Sequence, residues 1–216
     1  MISRKKAAVC LALQVLIIAG ECLGVALSRG EYRARMFTYY TCDSNLLLLA
    51  AAAAEAVFCL RLLAGKGTVI PERLLLFRYA ATCTTTVTFL VVLLVFAPLS
   101  GPGALSRLFL KGSLTYMHLL CPLLGLAAFL LAEDHPYLRL RHTLAAMVPT
   151  AAYAAVIVIL NLTRTVRGPY PFLLVYEQPV WASAVWAAVI LGGAWLTAAA
   201  LVLLKRGRRG RASPPS

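Results

Sequence analysis

Met36-Phe-Thr-Tyr-Tyr-Thr-Cys-Asp-Ser-Asn-Leu-Leu-Leu-Leu49 opens an apolar run that continues to Leu63. A helix rises 1.5 Å per residue and crosses the hydrocarbon core of a bilayer in about 20 residues, so a run of this length is a membrane span. Aromatic rings at its start suit the headgroup layer. The polar cluster behind them is less ordinary, because an acidic side chain near the hydrocarbon is costly unless it faces protein, water or a partner. An N-cap role for Asp43 or Ser44 accounts for one or two of these residues. It leaves Thr41, Asn45 and the rest, so the stretch reads as a helix start that carries a site.

Working outward, the 216-residue chain is 61% hydrophobic and 13% charged, with mean hydropathy +0.82. A soluble domain is nearer half apolar and a quarter charged, so the fold class is all-α and polytopic. Six runs are long enough to span: Ala7–Leu27, Phe37–Leu63, Leu74–Leu99, Ser113–Ala132, Thr143–Leu162 and Val180–Leu204. Residues 1–204 therefore form one six-span bundle, and 205–216 form a basic tail expected to be disordered. Arg4, Lys5 and Lys6 ahead of the first run imitate a secretory signal, but that run is long enough to span and is read as an uncleaved helix.

The net charge of +13 argues for topology and against nucleic acid, because the cations lie between and beyond the spans. With both termini cytoplasmic, the inner segments hold fourteen Lys and Arg against seven outside. The expected location is a cell membrane, crossed several times. Cys10, Cys22, Cys42, Cys59, Cys83 and Cys121 all lie in or beside apolar runs, with no Cys-x-x-Cys spacing. They read as small packing residues, and no metal or cofactor is expected.

That orientation brings Thr41, His118 and Glu21 to a common depth, roughly 6, 8 and 9 Å below the outer ends of their spans at the helical rise. Separate interhelical hydrogen bonds are the plain alternative. A shared layer favours a site. The Thr82–Thr88 hydroxyls of the third run read mainly as packing groups bonded to their own helix or to a neighbouring one, with lining of a polar cavity as the alternative. Glu55 is expected to pair with Arg61 or Arg78. Pro122 and Pro149 are expected to distort their helices. Asn161-Leu-Thr163 matches a glycosylation sequon beside the fifth run.

Phe-Thr-Tyr-Tyr-Thr-Cys-Asp-Ser-Asn-Leu-Leu at 37–47, Tyr-Met-His-Leu-Leu-Cys-Pro-Leu-Leu at 116–124 and Gly-Pro-Tyr-Pro-Phe-Leu at 168–173, in this order, resemble the androgen-induced-gene family of multi-span membrane proteins. The Ser44-Asn45 pair is closer to its bacterial branch, and the His-to-Pro spacing is one residue shorter than in the animal proteins. Animal members are intramembrane threonine hydrolases that cleave fatty acid esters of hydroxy fatty acids. The resemblance implies Thr41 as nucleophile, with Thr38 as fallback, and His118 as base. Its partners are then membrane lipids and a hydrophobic ester.

A threonine hydroxyl needs a base in hydrogen-bond reach, and neutral imidazole suits that task. Glu21 or Asp43 is expected to orient the ring, Asn45 or amides near Pro171 to supply oxyanion donors, and Ser44 to support the site. Tyr40, Tyr170, Pro171, Phe172 and Thr86 are the pocket candidates. A proton-coupled carrier using Glu21, Asp43 and His118, or a non-catalytic lipid-binding protein, is the alternative.

Overall fold

The computed structural model describes residues 3–66, 69–136 and 138–212, with side chains through Arg208. Among them the protein is helical, without strands. The helices are α1 (Arg4–Tyr32), α2 (Tyr40–Leu63), α3 (Glu72–Val91), the short α4 (Ala104–Phe109), α5 (Thr115–Ala132), α6 (Thr143–Leu162) and α7 (Val180–Ala212). A π-helical turn Val92–Phe96 and residues Ala97–Leu99 prolong α3. All but α4 belong to helical segments long and apolar enough to cross a membrane, six in number among the described residues.

Two differences from the expected boundaries matter. The joint at 100–112 holds α4, entered through Gly103 at φ 73°, a left-handed conformation that favours glycine. At the other end α7 runs on to Ala212. The segment expected to be disordered from Lys205 thus continues the last helix, and residues 213–216 lie outside the described residues. Long cationic side chains let a helix pass beyond the hydrocarbon without losing its backbone bonds.

α3 is the central strut. Its face from Arg78 to Thr88 is buried throughout. Thr84, Thr85, Thr86 and Thr88 each donate to a carbonyl three or four residues back in the same helix. This satisfies hydroxyls that hydrocarbon would otherwise strand. α1 and α5 approach closely where α1 has Gly20 and Gly24. A Cβ at Gly20 would lie 2.9 Å from Cys121 Sγ, and one at Gly24 would lie 3.1 Å from Tyr116 Cβ. Small residues four apart are the usual way for membrane helices to come this near.

One end of the bundle gathers both termini. Lys6 Nζ lies 2.5 Å from Asp134 Oδ1, and Lys205 donates to the carbonyls of Phe129 and Glu133. Just inside that end, Arg78 of α3 meets Glu55 of α2 at 2.9 Å and Glu133 at 2.8 Å. Gln14 of α1 donates to both carboxylates at 3.2 Å, and His135 Nε2 lies 2.9 Å from Glu133. The partner of Glu55 is therefore Arg78. The opposite end carries α4, the turn at 33–38 and the 163–179 loop, and there the sequence placed its site.

Candidate active site

The chain enters α2 through a 3₁₀ turn, Arg33–Thr38, and an extended Tyr39. Tyr39 is the N-cap and makes no side-chain cap bond. The helix thus starts before Asp43 and Ser44, and neither is its cap. Thr41 falls on the second residue of the first turn, where backbone amides lack intrahelical acceptors.

Thr41 Oγ1 lies 3.2 Å from His118 Nε2. On its other side the ring meets the Leu108 carbonyl, with Nδ1 2.8 Å from that oxygen. A carbonyl only accepts, so Nδ1 carries the proton and Nε2 presents its lone pair to the threonine. His118 is 7% exposed and packs edge-on against Phe109, centroids 6.3 Å apart.

His118 sits in a π-helical segment, Thr115–Leu120, in which the Cys121 N–H reaches back to the Tyr116 carbonyl. Pro122 follows, and it has no N–H for the His118 carbonyl four residues before it. The wider turn is the local answer to that missing bond, and π-helical insertions of this kind recur at functional sites.

Asn45 ties the two helices together behind the pair. Its Nδ2 donates to the Thr41 carbonyl at 2.7 Å and to the Met117 carbonyl at 3.1 Å. Both amide protons are therefore used, and Asn45 is a positioning residue with none left for an oxyanion. Ser44 Oγ is 3.0 Å from the Thr41 carbonyl and 2.9 Å from Thr88 Oγ1, locking α2 to α3.

The expected carboxylate does not orient the ring. Glu21 is fully buried, with the Cys121 thiol as its neighbour, and neither of its oxygens has a partner at ordinary hydrogen-bond geometry. Asp43, half-buried in the first turn of α2, complements the positive end of the helix dipole and leaves the imidazole alone. The Leu108 carbonyl takes that part. Thr38, the fallback nucleophile, donates to the Arg35 carbonyl at 2.8 Å.

Thr41 opens onto an apolar cavity of about 360 Å³, within the range of small-ligand pockets. Tyr40, Tyr153, Tyr170, Phe172 and Trp186 are among its walls. Tyr40 bonds Thr150 at 2.6 Å, and Tyr153 donates to the Thr38 carbonyl at 2.7 Å, so their polar tips are satisfied while their rings line the wall. Two expected wall residues lie elsewhere. Thr86 is turned back onto the Thr82 carbonyl at 2.7 Å. Pro171 lines a separate polar recess of about 560 Å³ with Arg35, Thr38 and Arg167.

Tyr170 borders both spaces. Its ring lies 5.5 Å from that of Phe96 and 5.3 Å from that of Phe172. Burial pushes its phenol up to about 12.

Tyr153, Thr150 and Leu108 went unmarked in the sequence. The polar pair Thr150 and Tyr153, three apart in an apolar helix, is a usable signal for a cavity face. A backbone acceptor such as that of Leu108 has no side-chain signature. Asn161, of the glycosylation sequon, is occupied internally, accepting from the Val175 N–H at 3.1 Å. No protein-family model matches this chain, and no curated protein or solved structure matches it.

Proposed function

We propose that this protein is an intramembrane threonine hydrolase that cleaves a lipid ester, with Thr41 as nucleophile and His118 as general base. This agrees with the family resemblance of its three motifs. The single observation that carries the reading is the 3.2 Å approach of Thr41 Oγ1 to the unprotonated side of an imidazole whose other nitrogen is held by a carbonyl. The opening of Thr41 onto an apolar cavity supports an acyl substrate arriving from the lipid phase.

In the reaction, His118 Nε2 takes the Thr41 proton as Oγ1 bonds the ester carbonyl carbon. The tetrahedral oxyanion collapses, the bond to the leaving alcohol breaks, and His118 returns its proton to that oxygen. Water then attacks the acyl-threonine, with His118 again taking and returning the proton. The acid and free Thr41 result. The fourteen Lys and Arg on the terminal side against seven on the other support a reading in which this chemistry faces the outer leaflet of a cell membrane.

The test is a lipophilic fluorophosphonate probe followed by peptide mapping. Covalent labelling at Thr41, lost on heat denaturation, is the expected result. Absence of labelling together with absence of ester hydrolysis overturns the proposal. One observation favours the proton-coupled carrier as second reading, namely the buried Glu21 carboxylate without a regular partner. A carrier acidifies or alkalinises the lumen of reconstituted vesicles along a substrate gradient. A hydrolase releases acid wherever its ester is present, with or without a gradient across the membrane.

A further inference from the structure

A threonine hydrolase must stabilise a tetrahedral oxyanion, and Asn45 has no N–H left for it. We propose that the Tyr170 hydroxyl is the oxyanion donor, acting beside the first free amides of α2. This assignment rests on the threonine hydrolase reading and adds a catalytic residue to it.

The first ground is position. Tyr170 reaches the site from the 163–179 loop and lines the cavity together with Tyr40 and Thr41, the residues whose backbone amides open α2. Those amides head a helix whose N-cap makes no side-chain bond, so no intrahelical carbonyl competes for them. They also bear the positive end of the helix dipole.

The second ground is that the other tyrosine and threonine hydroxyls lining the cavity are already committed. Tyr40 is tied to Thr150, Tyr153 to the Thr38 carbonyl, and Thr88 to Ser44 and the Thr84 carbonyl. The third is rigidity. The Tyr170 ring is stacked on Phe172 and held by Phe96, with Tyr39 edge-on at 6.4 Å, so it is set before substrate arrives. With its pKa raised by burial, the phenol keeps its proton at neutral pH and acts as a donor.

As Thr41 Oγ1 bonds the carbonyl carbon, the carbonyl π pair moves onto oxygen. That oxygen accepts hydrogen bonds from the Tyr170 hydroxyl and from the Tyr40 and Thr41 amides. No proton leaves Tyr170. On collapse the pair re-forms the carbonyl as the leaving-group bond breaks, and the leaving oxygen is protonated by His118. Charge of this kind develops only in the transition state, so its donor acts on kcat rather than on substrate affinity.

Tyr170→Phe deletes the hydroxyl and keeps the stacked ring. In purified full-length protein hydrolysing p-nitrophenyl octanoate, kcat should fall by about 10²–10³-fold, as for loss of one oxyanion donor. KM and the thermal unfolding midpoint should be unchanged. A Tyr170→Phe variant with full kcat overturns the assignment, and so does a loss matched by an equal rise in KM or a lowered midpoint, which marks a packing role. A wild-type protein that is neither active nor labelled at Thr41 overturns the hydrolase reading, and the oxyanion role falls with it. A labelled, active wild type beside a fully active Tyr170→Phe removes the oxyanion role alone.

Discussion

His118 donates from Nδ1 to the Leu108 carbonyl, which leaves the Nε2 lone pair facing Thr41 Oγ1 3.2 Å away. A neutral acceptor stabilises the imidazolium less than a carboxylate would. In a site walled by hydrocarbon it also avoids burying a second charge. A nucleophile and its base act as a unit, so Thr41→Ala and His118→Ala should each abolish hydrolysis, and the double variant should be little worse than either. Thr41→Ser should retain measurable turnover, and Thr38→Ala should behave as wild type, because Thr38 donates away from the site to Arg35. Steady-state rates on one ester decide this, and additive losses in the double variant would break the unit. Thr41→Ala costs only about one intramembrane hydrogen bond, on the order of 0.6 kcal/mol, so the variant should remain folded. Both residues of the pair stood out in the sequence by type and depth. The ring's orienter did not, because a main-chain oxygen presents the same pattern at every position.

At the scale of elements, the placement of His118 depends on a turn that α5 makes differently from an α-helix. Pro122 withholds the N–H that would bond the His118 carbonyl, and the segment Thr115–Leu120 widens to the π form. Pro122→Ala supplies that N–H and favours an ordinary α turn. The expected outcome is equal or higher thermal stability with turnover reduced about 10²-fold, the scale of loss for a misplacement of about 1 Å. Comparing melting midpoint with kcat checks it, and unchanged kcat would show that the π turn does not position the ring. The contact of α1 with α5 is equally specific. Gly24→Leu would drive a side chain into Tyr116 and Met117, where a Cβ alone already meets atoms at 3.1–3.2 Å. A loss of about 1–3 kcal/mol is expected from such overpacking, read as a lowered midpoint in detergent. The glycines and the proline are plain in the sequence. Which helix they face is a property of the bundle.

Across the whole molecule, the two ends do different work. The end that holds the termini is cross-braced by Arg78, which binds carboxylates from α2 and from the end of α5, with Gln14 of α1 joining them. Arg78→Met should leave Glu55 and Glu133 uncompensated and destabilise the protein by about 3–5 kcal/mol, the usual result of removing one partner of a buried pair. A melting midpoint within a degree or two of wild type would show that the brace carries no stability. Among the described residues the opposite end has no buried arginine–carboxylate pair; it holds the cavity, with its wall completed by the 163–179 loop. The number of spans and their approximate limits follow from the sequence alone, because a lone helix must satisfy its backbone internally and about 20 apolar residues suffice to cross the membrane. Thr41, His118, Ser44 and Asn45 were legible for a related reason: a polar side chain in hydrocarbon is costly enough to mark itself. Rotation of each helix about its axis is set only by packing against neighbours, since lipid accepts any apolar face alike. The tertiary structure therefore decided that Glu21 turns to Cys121, that Thr86 turns back on its own helix and that Pro171 lies outside the cavity. It also decided that a carbonyl from the short α4 holds the imidazole in place.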